Sequence, residues 1–163
     1  MIDADLFKRG MRRLASGVSI ISTSADGTPH GLLVTSVTSL STEPASMLVC
    51  VNKGASAHDP MARAGVFCVN VLHQDDDEVA GVFSRSQFRD RRFTESRWTT
   101  MVTGAPALRD ALANFDCRVT DSIAFGSHTI FIGEVMSIRM RDGEVDPLIY
   151  LNGQYRQLAT PAA

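Results

Sequence analysis

Four stretches of this chain bring together side chains that could do chemistry. The first, Gly31–Ser41, reads Gly-Leu-Leu-Val-Thr-Ser-Val-Thr-Ser-Leu-Ser, with five hydroxyls among eleven residues. Its plain reading is two strands with hydroxyls toward solvent. The alternative is a strand and turn whose backbone N–H groups and short hydroxyls line a cleft for a planar, polar heterocycle. The second, Cys50–Ala57, runs Cys-Val-Asn-Lys-Gly-Ala-Ser-Ala. An apolar strand there ends in Asn-Lys-Gly before a helix start. That is either an ordinary capped loop or a phosphate cradle built from helix N–H groups, a Lys and a Ser. The third, Phe125–Gly133, sets His128 after a Gly-Ser turn and before an apolar strand. This histidine is either solvated at a strand end or an imidazole at a barrel rim, facing a ligand. The fourth is the loop over residues 85–97, where Arg85, Arg89, Arg91, Arg92 and Arg97 outnumber Asp90 and Glu95. Arginine pairs with phosphate bidentately, so the loop is a solvated segment, a lid or a dinucleotide contact.

Periodicity and turn signals supply the elements that must hold these stretches. Asp5 to Ala15 is an amphipathic helix, with Leu6, Phe7, Met11, Leu14 and Ala15 on one side and Lys8, Arg9, Arg12 and Arg13 on the other. Asp3 or Asp5 caps it and Ser16-Gly17 stops it. Val18–Thr23 and His30–Thr35 form a hairpin around Asp26-Gly27. Val37–Ser41 and Met47–Asn52 are two further strands around Glu43-Pro44. Ser56–Ala64 is a short helix with Pro60 in its first turn. Val66–Leu72 is a strand, and Asp75–Phe83 is a helix whose acidic first turn suits the helix dipole. Leu112–Thr120, Thr129–Arg141 (with Gly133 marking a bulge) and Pro147–Leu151 bring the tally to at least seven strands and about three helices. The strands do not alternate with helices and several are joined by short turns. The expected architecture is therefore an antiparallel barrel with helices on its outside. It forms one domain over residues 1–158, followed by a frayed tail at 159–163.

Composition narrows the chemistry. At 163 residues, 44% hydrophobic and 21% charged, the chain is long enough to bury one sizeable core. Sixteen Lys and Arg against eighteen Asp and Glu leave a net charge of −2, which draws no nucleic acid. Aromatics are sparse, with a single Trp, and do not make a stacking platform for single strands. No apolar stretch approaches the ~20 residues of a membrane span, and the opening Met-Ile-Asp-Ala-Asp is not a secretory signal. Cys50, Cys68 and Cys117 are odd in number and widely spaced, which suits reduced thiols in the cytoplasm. The chain has no G-x-G, no Walker A loop and no G-x-S-x-G elbow. His30, His58, His73 and His128 show no paired metal spacing, so neither a Rossmann unit nor a metal site is expected.

The segments also form an ordered series. Phe7-Lys8-Arg9, Met11, Ser16-Gly17-Val18 and Ile21-Ser22-Thr23 open it. Gly31 to Ser41 follows as G-x-x-x-x-S-x-x-S-x-S, then Pro44, Leu48 to Lys53, and Phe67-Cys68-Val69-Asn70-Val71-Leu72. Asp90-Arg91 with Phe93 comes next, then Gly126-Ser127-His128-Thr129-Ile130. Pro147-Leu148-Ile149-Tyr150, Gly153, Tyr155-Arg156 and Leu158 close it. In this order and spacing the chain resembles the flavin reductase family with the FMN-binding split-barrel fold, from about Phe7 to Leu158.

The resemblance implies a mainly β chain, an antiparallel Greek-key split β-barrel with flanking α-helices. It implies an NAD(P)H:flavin oxidoreductase, transferring hydride from NADH or NADPH to FMN or FAD. Such enzymes supply reduced flavin to a partner flavin-dependent monooxygenase and are usually homodimers. It further implies that Leu33, Val34, Thr35, Ser36 and Ser39 line the flavin ring, that Cys50, Val51 and Asn52 run alongside it, and that Lys53 and Ser56 hold the phosphate. Phe83 and Arg85 would cover the outer side of the flavin. His128 would orient the nicotinamide as the catalytic residue, and no metal takes part. The chain departs from the family in two places. Gly54-Ala55-Ser56-Ala57 replaces a serine-rich run, and Leu33 stands where a small polar residue is common. Two other readings of the same barrel stay open: tightly held FMN reducing its own small substrate, and a non-catalytic flavin-binding module.

Overall fold

The computed structural model describes residues 2–94 and 96–159, so most of the expected tail lies outside the described residues. Of the two candidate caps it is Asp3 that acts, accepting a hydrogen bond from Asp5 N at 2.7 Å at the start of α1 (Ala4–Met11). The helix stops at Met11 rather than reaching Ala15. The chain turns there so that β1 (Ser16–Gly17) can pair with β11 near the other end of the sequence, Ser16 opposite Tyr150.

The strands β2 (Ser19–Ala25) and β3 (Thr28–Val34) form the expected hairpin. Its two-residue turn puts Asp26 at φ 52° and Gly27 at φ 76°, the left-handed pair that matches strand twist. Next come β4 (Val37–Thr42), β5 (Ala45–Asn52), α2 (His58–Ala64) and β6 (Val66–Val71). After a short 3₁₀ turn, α3 (Asp77–Ser84) leads into a second 3₁₀ segment, Ser86–Arg91. The chain closes with β7 (Trp98–Thr100), β8 (Pro106–Leu108), β9 (Ala113–Phe125), β10 (His128–Met140), β11 (Ile149–Leu151) and β12 (Gln154–Arg156).

Seven strands make one antiparallel sheet in the order β3-β2-β6-β9-β10-β5-β4. Its two edge strands, β3 and β4, are consecutive in the chain and joined only by Thr35 and Ser36. Laid flat, seven strands would hold their edges about 29 Å apart. The link from Val34 to Val37 spans only about 10 Å when fully extended. The sheet must therefore roll until its edges nearly meet, yet β3 and β4 do not pair, and the result is a split barrel.

The rolled sheet packs a core on each of its faces. Ile21, Val49, Val51, Phe67, Val69 and Phe131 pack one core, which Met61 of α2 joins. Val18, Ile20 and Leu72 pack the other, under Val79, Ala80 and Phe83 of α3. Ile20 and Ile21 thus point to opposite cores, which is why β2 shows no polar alternation. A buried polar seam ties the β8 segment to the sheet. Asn70 Oδ1 accepts from Leu108 N at 2.7 Å and from Asn114 Nδ2 at 2.8 Å, while Asn70 Nδ2 donates to Ile20 O at 2.9 Å.

The short strands β7, β8 and β12 were not expected, and β9 runs past Thr120 to Phe125. All residues from Thr120 to Phe125 are exposed, so that half of the strand carries no alternation to read. The bulge expected at Gly133 sits opposite it: the register steps from Ile132–Asp121 to Gly133–Val119, leaving Thr120 as the extra residue on β9.

Candidate active site

The rim of the barrel at the β3–β4 split is built from residues that the sheet brings together from three distant segments. Ser36 is pinned to β5 from both sides: Cys50 N donates to Ser36 O at 3.1 Å, and Ser36 Oγ donates to Cys50 O at 2.8 Å. The pairing of β5 with β10 sets Asn52 opposite His128. Ser36 and His128 therefore flank the same strand two residues apart, about 7 Å along it. The turn after Asn52 is closed by its own side chain, Gly54 N donating to Asn52 Oδ1 at 2.8 Å. Lys53 is tied to the β9–β10 turn, its N donating to Ser127 O at 2.9 Å and its Nζ to Gly126 O at 2.8 Å. Ser127 Oγ lies 2.9 Å from His128 Nδ1, which leaves Nε2 of this exposed ring toward solvent.

Thr35 and Ser36 lie outside any strand and are exposed, and among the described residues their N–H groups donate to no backbone carbonyl. Two free donors in succession suit a planar edge bearing acceptor atoms. Beside them opens a groove of about 250 Å³ lined by Val18, Leu33, Val34, Thr35, Tyr150 and Tyr155. The two tyrosines are cross-strand partners on β11 and β12, their rings edge to face at 6.2 Å. Burial, with Tyr150 and Asp77 nearby, raises the Tyr155 phenol above its ordinary range, and the Arg85 charge opposes this. Apolar walls with a few convergent polar groups fit a flat heterocycle.

The structure thus gathers Leu33, Val34, Thr35, Ser36, Cys50, Asn52, Lys53 and His128 around one rim, with Arg85 near the Tyr155 wall. Four expected residues are placed differently. Val51 is fully buried, its side chain turned into the barrel core as strand alternation requires, so it offers a ligand only its neighbours. Phe83 is 3% exposed and packed against Phe93 and Trp98, ring centroids at 5.2 and 5.6 Å. Ser39 stands three residues further along β4, about 10 Å from Ser36. Ser56 lines a neighbouring depression with His30 and Arg89, while Lys53 Nζ donates to Gly126 O. Sequence reasoning assigned no role to Tyr150 and Tyr155. Their signal is the Asn152-Gly153 turn, at φ 52° and 82°, which makes two tyrosines spaced five apart face each other across a hairpin.

Among the described residues no group of three or more His, Cys, Asp or Glu side chains is placed to hold a metal. No helix among them is long and apolar enough to cross a membrane.

Known proteins are similar to this chain in sequence and in fold. An FMN reductase (NADH), RutF, from Methylorubrum populi is 40% identical over 157 residues, covering 96% of this chain and 77% of that protein. The solved structure of BorF, the flavin reductase component of a bacterial two-component tryptophan halogenase, superposes with a TM-score of 0.89 at 33% identity, covering 97% of this chain and 99% of that one. The NADH:FAD oxidoreductase SgcE6 of Streptomyces globisporus, solved with NAD and FAD fragments, gives a TM-score of 0.89 at 26% identity, covering 100% and 99%. The family model described as flavin reductase like domain matches residues 11–159, and the chain belongs to that family.

Proposed function

We propose that this chain transfers hydride from NADH, or NADPH, to FMN or FAD and releases the reduced flavin to a partner flavin-dependent monooxygenase. The observation that carries the reading is the pair of exposed N–H donors at Thr35 and Ser36 beside an apolar groove at the barrel split. The residues present fit a flavin: a ring edge meets the donors, and Leu33, Val34 and the two tyrosines supply apolar walls. When bound, the flavin supplies the hydride-accepting ring.

The chain's own part is position and field. The Ser36–Cys50 pair of hydrogen bonds fixes the segment that carries the N–H groups of Thr35 and Ser36, so these donors would hold a bound ring's acceptor atoms without reorganising. His128 stands across β5 with Ser127 fixing its ring, and orients the carboxamide or ribose of the nicotinamide for close approach. Hydride transfer needs no general acid, so His128 is assigned no proton. A rim with few charged anchors suits a flavin that must leave. The name FMN reductase (NADH) on the M. populi relative supports NADH as the first donor to try.

A homodimer belongs to the same reading. Leu6, Phe7, Met11 and Leu14 on one face of the α1 region are each about half exposed or more in a single copy, an apolar patch that a second copy would cover. Three unpaired cysteines suit the cytoplasm.

The decisive assay follows NADH and NADPH oxidation with FMN, FAD and riboflavin in turn. The expected result is colourless protein that turns over only when flavin is added. Protein that stays yellow through dialysis and reduces another substrate, or flavin binding without nicotinamide oxidation, would replace this reading by one of the two alternatives.

A further inference from the structure

The tip of the β9–β10 hairpin, which carries His128, has no core of its own. Every residue from Thr120 to His128 is exposed, and Thr129 is the first buried residue of β10. β5 pairs alongside only as far as Asn52, where it ends. A two-stranded ribbon without packing is marginal, so what holds this tip must reach it from neighbouring elements.

The segment that leaves β5 reaches it three times. Lys53 N donates to Ser127 O at 2.9 Å and Lys53 Nζ to Gly126 O at 2.8 Å, both on the turn. The third bond comes from the far end of that segment. His58, the first residue of α2, sets its Nε2 2.8 Å from Thr129 Oγ1. The ring is fixed on two further sides. Its Nδ1 lies 2.7 Å from Asp59 Oδ1, and it stands edge-on to Phe131 with centroids 5.5 Å apart. A carboxylate accepts and does not donate, so Nδ1 carries the proton of the Asp59 bond. In the neutral ring Nε2 is then an acceptor, and the Thr129 hydroxyl donates to it.

This row of carboxylate, imidazole and hydroxyl has the order of a nucleophile relay. Thr129 is only 8% exposed and its hydroxyl is turned to His58, so the row holds a position instead of attacking a substrate. Strand alternation supplies the consequence. Thr129 faces α2, so His128, one residue earlier, faces the other side of the sheet. Fixing the Thr129 side chain fixes the backbone from which His128 projects.

We propose that His58 is a positioning residue for hydride transfer: it acts through Thr129 to hold His128 in place for the nicotinamide, with Asp59 setting the tautomer of its ring. The proposal rests on the role given to His128 above.

Double-variant kinetics test it, with NADH as donor and FMN as acceptor. Thr129→Val removes the hydroxyl and keeps the side chain's size, so it should fold with a lower denaturation midpoint, because it leaves Nε2 unpaired. It should lower kcat/KM for NADH about five- to tenfold through lost orientation, with the Kd for FMN nearly unchanged. Thr129→Ser restores the hydroxyl and should recover most of the activity. His58→Asn keeps a donor toward Asp59 but falls short of Thr129, and should reproduce the kinetics of Thr129→Val. In a His128→Ala background, Thr129→Val should lower the midpoint as before yet leave kcat/KM where His128→Ala put it, since residues acting along one path are not additive. An unchanged kcat/KM in Thr129→Val or His58→Asn, or a loss that recurs in full in the His128→Ala background, overturns the positioning role and leaves a bond that only seats α2 on the sheet. If His128→Ala alone leaves kcat/KM unchanged, the role of His128 falls and this proposal with it, while flavin binding still stands.

Discussion

Ser36 spends both its hydroxyl and its carbonyl on Cys50 and keeps its N–H for a ligand. That division is what turns a hydroxyl-rich strand end into a site. His128 follows the same logic, with one ring nitrogen beside Ser127 and the other free. His128→Ala should lower kcat/KM for NADH by roughly 10–100-fold through lost orientation, with flavin affinity nearly the same. Stopped-flow reduction of saturated enzyme checks this. Collapse of flavin affinity with unchanged hydride transfer would show that the role is wrong. The three cysteines offer a second probe. Burial, with Asp116 adjacent, pushes the Cys117 thiol up to about 12, and burial raises Cys68 as well; both are thereby poor nucleophiles, whereas Cys50 is partly exposed on the rim. Ellman titration near pH 8 should find one reactive thiol in the folded protein and all three in denaturant. Saturating FMN should slow labelling of Cys50; labelling indifferent to flavin would place the ring elsewhere.

Among the elements, the β9–β10 hairpin has the tightest constraint. A Cβ on Gly133 would stand 2.6 Å from the Phe67 ring and 2.9 Å from Cys117 Cβ, both in the core. Gly133→Ala should therefore cost about 1–3 kcal/mol, read as a lower denaturation midpoint with an unchanged slope. Phe67→Leu should recover part of that loss in the double variant, since it removes the atoms in the way. A fully additive pair would mean that the glycine serves the bulge and not the ring. The buried seam around Asn70 has a related structural role: it gives the β8 segment, which is too short to hold itself, a fixed seat on the sheet.

At the scale of the whole molecule, α1 presents an apolar face to solvent. None of its residues is buried, and Phe7 is 59% exposed. If a second copy covers this face, Phe7→Glu places a charge in the contact and shifts sedimentation from dimer to monomer at micromolar protein. An intact protein that sediments as a monomer throughout would remove the dimer from the proposal. The same experiment run with flavin present shows whether the two copies assemble the site jointly.

By itself the sequence determined most of the elements, because they depend on short-range signals: β-branched runs, the Asp26-Gly27 turn and an acidic first turn on α3; the candidate rim residues came from the resemblance in motif order. The structure places Thr35, Ser36, Cys50, Asn52, Lys53 and His128 of that series at the barrel rim, while Val51 turns into the core. The tertiary structure alone decided which of these side chains face outward and which stretches share a pocket. Val51 and Phe83 carry apolar side chains that either a core or a flat ligand could bury, and only the rolled sheet assigns them to the core. Lys53 and Ser56 are three apart in the chain, yet Lys53 Nζ donates to Gly126 O while Ser56 lines a depression with His30 and Arg89, which are far from it in sequence. Local propensity fixes the course of each strand. The distance between strands is set by closing seven of them over a two-residue link, and no single segment of the sequence contains that constraint.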